Sequence, residues 1–126
     1  MSHRRIILEC GTGNDLYGED YTKAACRAVQ DALHHSSLQL FRTLGLDRDA
    51  MRVTITIGVQ RPDAVDRDTV ASEVPYGQAS VEVRRGGLDV PDADTGAPTV
   101  IATAAVAASV DLPDGRYTLP APAPVP

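Results

Sequence analysis

The segment Thr99–Val110, TVIATAAVAASV, limits the possible folds more than any other part of the chain. Side chains alternate between the two faces of a β-strand, and here both faces are apolar. Val100, Ala102, Ala104, Val106 and Ala108 form one. Ile101, Thr103, Ala105 and Ala107 form the other, which is small. A strand of this kind is buried on both sides. One or two helices on one side of a sheet leave the second face bare, so a neighbouring subunit is expected to cover it.

The remaining strands are one-sided. In Met51–Gln60, Met51, Val53, Ile55, Ile57 and Val59 alternate with Arg52, Thr54, Thr56, Gly58 and Gln60. Gln78–Arg84 places Ala79, Val81 and Val83 inward. Arg5–Cys10 is a shorter strand, with Ile6 and Leu8 against Arg5 and Glu9. Asp66–Val74 makes about two helical turns and stops before Pro75. Gly86–Gly87 allows a bulge or turn, and Asp92–Pro98 is a polar connection. The expected fold is α+β: a four-stranded, mostly antiparallel sheet in the order β-α-β-(α)-β-β, with one long helix on one face. Residues 1–111 form a single domain. Residues 112–126 form a Pro/Ala-rich tail, with four of the nine prolines in the last seven residues. Such a tail is extended and dispensable for folding unless a partner holds it.

Chemistry-capable groups concentrate in Gly11–Asp31, GTGNDLYGEDYTKAACRAVQD. It reads as a glycine-studded acidic loop entering a helix from about Tyr21 to Leu44. Gly11, Gly13 and Gly18 permit close backbone approach. The third glycine falls two residues late for a dinucleotide fingerprint, and the carboxylates would repel a pyrophosphate. Asp20 or Thr22 caps the helix, and Glu19 and Asp20 complement its dipole. Ala25, Ala28, Val29, Ala32 and Leu33 make the buried stripe. Lys23, Arg27, Gln30, Asp31 and His34 lie opposite, with Arg27 and Asp31 as an i,i+4 pair. Gly45 suits the left-handed position after the helix. A lysine in a helix's first turn opposes the dipole. It is either a salt-bridge partner of Asp20 or Glu19, or a base or nucleophile.

The run Gly11–Ala32, with Pro75–Gly77 and Val81–Leu88, resembles the signature of a small conserved hypothetical family of prokaryotes, over roughly Arg5 to Val110. The fold of that family is similar to one domain of the ring-opening amidohydrolases, cyanuric acid hydrolase and barbiturase. Those enzymes use Ser–Lys dyads where three similar domains meet, and their serine motifs are not visible here. The resemblance implies a trimer-based homo-oligomer and, as one function, a small-molecule enzyme acting on a cyclic amide. Lys23 would then be base or nucleophile, Asp15 or Asp20 would orient it, and Arg27 would hold an anionic group. Gly11, Gly13, Asn14 and Glu19 complete the expected ligand-binding set. The alternative is a non-catalytic binding or assembly subunit whose carboxylates are caps.

Other classes fit poorly. The net charge of −5 disfavours nucleic acid and anionic membrane as partners. No apolar run reaches the roughly 20 residues that span a bilayer, and the N-terminus has no signal-peptide core. Cys10 and Cys26 suggest free thiols and a cytoplasmic setting. His34 and His35 face different ways, and His3 is the only other histidine, so neither metal nor cofactor is expected. Ser36 and Ser37 have no evident base.

Overall fold

A computed structural model describes residues 2–35, 39–115 and 122–125. The chain folds as β1 (Ser2–Asp15), α1 (Tyr21–His34), α2 (Gln39–Leu44), β2 (Arg52–Val59), α3 (Arg67–Ala71), β3 (Gln78–Arg85), β4 (Leu88–Pro91) and β5 (Pro98–Leu112). The sheet runs β1-β5-β2-β3, with β4 also on β5. β5 pairs antiparallel with β1, β2 and β4, while β2 and β3 are parallel, joined through α3. The apolar strand is therefore the hub of the sheet, and the sheet is mostly antiparallel as expected.

Three expectations need correction. The sheet has five strands, because Leu88–Pro91 pairs with Pro98–Ile101. The first strand does not stop at Cys10 but runs to Asp15, with a register irregularity between Arg5 and Ile7. The long helix is not continuous: α1 ends at His34, where the His35 N–H reaches back to the carbonyls of Ala32 and Leu33. His34-His35-Ser36-Ser37 is a run of weak helix formers. Ser36 and Ser37 lie outside the described residues, as do residues 116–121 and 126 of the proline-rich tail. Gly45 does close α2 with φ +65°, and the Leu46 N–H bonds the Phe41 carbonyl.

The core lies between α1 and one sheet face. Ala24, Ala25, Ala28, Val29 and Ala32 of α1 meet Val53, Ile55, Ile57 and Val59 of β2 and the even-numbered residues of β5. The close approach is set by β1. A Cβ on Gly11 would lie 2.4 Å from the Ala28 carbonyl oxygen, and one on Gly13 would lie 2.3 Å from the Ala28 nitrogen. Alanines on the helix and glycines on the strand thus let the two backbones nearly touch. α3 also packs against α1. The opposite sheet face holds a shallow hollow of about 580 Å³ whose lining includes Cys10, Thr56, Thr103 and Ala105, with Arg84 and Arg85 of β3. Leu8, Leu88 and Val90 are exposed there.

Candidate functional site

Asp15 is the one buried charged residue among those described, at 5% exposure. It ends β1 opposite Val100, on the face that α1 covers. The chain then turns through Leu16–Glu19, with Glu19 at φ +51°, to Asp20, which caps α1. The Asp20 N–H donates to Asp15 Oδ2 at 2.9 Å, and the Lys23 N–H donates to Asp20 Oδ1 at 3.0 Å. Gly18 is needed here for space, since a Cβ would lie 2.8 Å from Asp15 Oδ2.

Lys23 and Arg27 are one helical turn apart and reach the same carboxylate. Lys23 Nζ and Arg27 Nη1 each lie 3.9 Å from Asp15 Oδ1, and their side chains are 53% and 46% exposed. Arg27 Nη1 also donates to the Asn14 carbonyl at 2.6 Å. Asp15, Leu16, Tyr17, Gly18, Asp20, Lys23 and Arg27 line an open cleft of about 370 Å³. Tyr17 stands at its edge, 89% exposed. The cleft has one sunken negative charge beneath two positive ones, close to the positive end of a helix dipole. That arrangement suits a small molecule carrying a carbonyl or anionic oxygen.

The structure brings together Asp15, Asp20, Lys23 and Arg27 of the expected site. Asn14 takes part through its carbonyl. Glu19 is exposed in the loop and does not line the cleft. Gly11 and Gly13 sit beneath α1 and do not line it either. They belong to a strand, where the sequence suggests a loop. The ion-pair partner of Lys23 is Asp15, not Asp20 or Glu19. Asp31 does not pair with Arg27: it accepts the Thr12 N–H at the sheet edge at 2.9 Å and faces His35. Thr22 caps nothing in α1 and instead accepts the Asp66 N–H at 2.9 Å.

A second carboxylate escapes sequence reading. Asp89 of β4 sits on the other side of Val100 from Asp15, facing the same helix end. The buried Tyr21 hydroxyl donates to Asp89 Oδ2, and Asp89 Oδ1 is buried without a hydrogen-bond partner among the described residues. Burial, then the bond to Asp89 and its charge, hold the Tyr21 hydroxyl above its usual pKa. The alternation Leu88-Asp89-Val90 was the available signal, but it spans too few residues to stand out. No group of three or more His, Cys, Asp or Glu among the described residues is placed to hold a metal ion. No helix among them is long and apolar enough to cross a membrane.

These features define an α+β protein with helices on one sheet face, a bare second face, and a charged cleft at a strand-to-helix turn. The chain belongs to the Lin0512 family of conserved hypothetical proteins, whose family model matches residues 5–108. It is also similar to the crystal structure of an FtsZ-like protein of unknown function from Nostoc punctiforme PCC 73102. The two are 30% identical with a TM-score of 0.79, over 89% of this chain and 99% of that one. No curated protein matches the chain.

Proposed function

We propose that the chain is a small-molecule enzyme whose site is the cleft over Asp15, completed in a trimer-based homo-oligomer. The observation that carries this reading is the buried Asp15 carboxylate with Lys23 and Arg27 both 3.9 Å from one of its oxygens. Neither cation hydrogen-bonds the buried carboxylate directly. Although Arg27 Nη1 donates to the Asn14 carbonyl, a guanidinium has five N–H donors and an ammonium three, so both retain donors for a ligand. Arg27 polarises or holds a carbonyl or carboxylate oxygen. Asp15 fixes where Lys23 points. Lys23 acts as base or nucleophile once a neighbouring copy excludes water from the cleft. Asp20 keeps the helix start in place. The cyclic-amide substrate class rests on the resemblance of Gly11–Ala32 to the family similar in fold to the ring-opening amidohydrolases.

Non-catalytic binding is the second reading. It is favoured by the half-exposed state of both cations in the single chain, which suits ion pairing as well as chemistry. Calorimetric titration with cyanuric acid and barbituric acid, followed by assay of ring opening, separates the two. Turnover lost in Lys23→Met supports the enzyme. Binding without turnover supports the module. No binding in wild type overturns the cyclic-amide reading.

A further inference from the structure

At the far end of α1 from Asp15 lies a second cavity of about 120 Å³, partly open to solvent. Val53 of β2 and Val106 and Ala108 of β5 form its buried floor, and Leu33 of α1, Val74 and Tyr76 form its half-buried walls. Apart from the Tyr76 hydroxyl, every one of these side chains is apolar. Beyond the Tyr76 hydroxyl, the described side chains give water in this cavity no polar partners, so an apolar group that displaces such water gains affinity. A dry engineered cavity of about 150 Å³, lined by Leu, Ile and Phe, takes up benzene or xenon.

The cavity is held open by its surroundings. The Arg48 guanidinium stacks 3.9 Å from the centre of the Tyr76 ring. Gly77 follows at φ +85°, where a Cβ would lie 2.5 Å from the Met51 carbonyl oxygen, and the Gln78 N–H bonds that same oxygen at 2.8 Å. The Tyr76 wall is therefore tied at its ring and its backbone, and it cannot fall inward to fill the space. A void that cannot collapse keeps its lining short of contacts, and a matching apolar group restores them.

We propose that this pocket is a binding site for an apolar group of about six carbons, an aromatic ring or branched alkyl chain, carried by a small ligand. The site is independent of the Asp15 cleft. The test is a benzene titration of the full-length chain with methyl-labelled Leu and Val, followed by two-dimensional NMR. Benzene should shift the methyl groups of Leu33, Val53, Val74 and Val106 saturably and leave Val100, beside Asp15, unmoved. Ala108→Leu fills the floor and should weaken benzene binding by about tenfold or more. Leu33→Phe fills the cavity from a half-buried wall and gives the same result should Ala108→Leu fold poorly. Absence of saturable shifts up to the solubility of benzene overturns the proposal, as would occur if neighbouring side chains already occupy the space. Undiminished binding in the filled variants also overturns it, by placing benzene elsewhere.

Discussion

The glycines of this chain show how one residue type serves unlike ends. Gly13 has no left-handed backbone; its role is to be absent of bulk, with backbone atoms of Ala24 and Ala28 at 2.4 and 2.3 Å from where a Cβ would stand. Backbone cannot swing aside as a side-chain tip can. Gly13→Ala should therefore lift α1 off β1 and cost at least about 2 kcal/mol, at the upper end of overpacking effects. Gly45, at φ +65°, has open space around it, so Gly45→Ala should cost only the left-handed strain, about 1 kcal/mol. Urea unfolding of the two variants checks the difference. If Gly13→Ala is no worse than Gly45→Ala, the tight seat of the helix is wrong. Buried ionisable groups also make a prediction. Burial, with the charge of Glu73 adding to it, pushes the Cys26 thiol up to about 11, and Tyr21 is raised as well. Both are acids whose charged form the fold disfavours. Their stabilisation is complete below the unfolded pKa and is lost as pH rises through the folded one. The urea midpoint should stay level up to about pH 9 and fall towards pH 11, and Cys26→Ala should flatten the first part of that fall. An unchanged midpoint through pH 11 contradicts it.

At the level of elements, the long patterns were legible and the short or interrupted ones were not. The alternation of Met51–Val59 placed all five apolar side chains on the buried face, and Gly45 and Asp66 marked helix ends as their chemistry requires. β4 was missed because four residues between two turn-rich segments carry almost no periodicity. The end of β1 was missed for a different reason. Gly11 and Gly13 weaken a strand by local propensity, and the requirement that overrides this comes from α1, which is distant in sequence. The same limit applied to the site. Asp15, Lys23 and Arg27 were singled out by composition and helical spacing, but that Asp15 lies buried beneath both cations depends on β1 running to its end under α1. The cap was legible and carries a prediction: Asp20→Ala removes the acceptor of the Lys23 N–H and should cost about 1 kcal/mol. Lys23→Met removes only a half-exposed ion pair and should change stability by less than about 1 kcal/mol. A larger loss in Lys23→Met than in Asp20→Ala would make Lys23 a structural residue and weaken its assignment to the site.

For the whole molecule, the decisive feature is the uncovered sheet face. Among the described residues, helices α1 and α3 pack together on one side, while the other presents Leu8, Leu88 and Val90 to solvent and holds a hollow whose floor includes Thr56, Thr103 and Ala105, with Arg84 and Arg85 in its lining. An open sheet face with exposed large apolar side chains is the surface on which copies of the proposed homo-oligomer would meet. A small floor lets a second sheet or strand approach closely, which a floor of large side chains would prevent. Self-association through this face predicts that sedimentation at micromolar concentration shows no 13.4 kDa species. Cys10 supplies an internal reporter, because its thiol is exposed in the single chain and lies in the hollow beside Ala105. Once a second copy covers the face, Cys10 should react slowly with a maleimide in the native protein. Thr103→Arg sets a charge on the exposed floor without entering the core between α1 and the sheet. That variant should remain folded by circular dichroism, sediment as a monomer and label rapidly at Cys10. A monomeric wild type with fast labelling would show that the bare face is not where copies meet, and the completed cleft over Asp15 would then have to be sought within one chain.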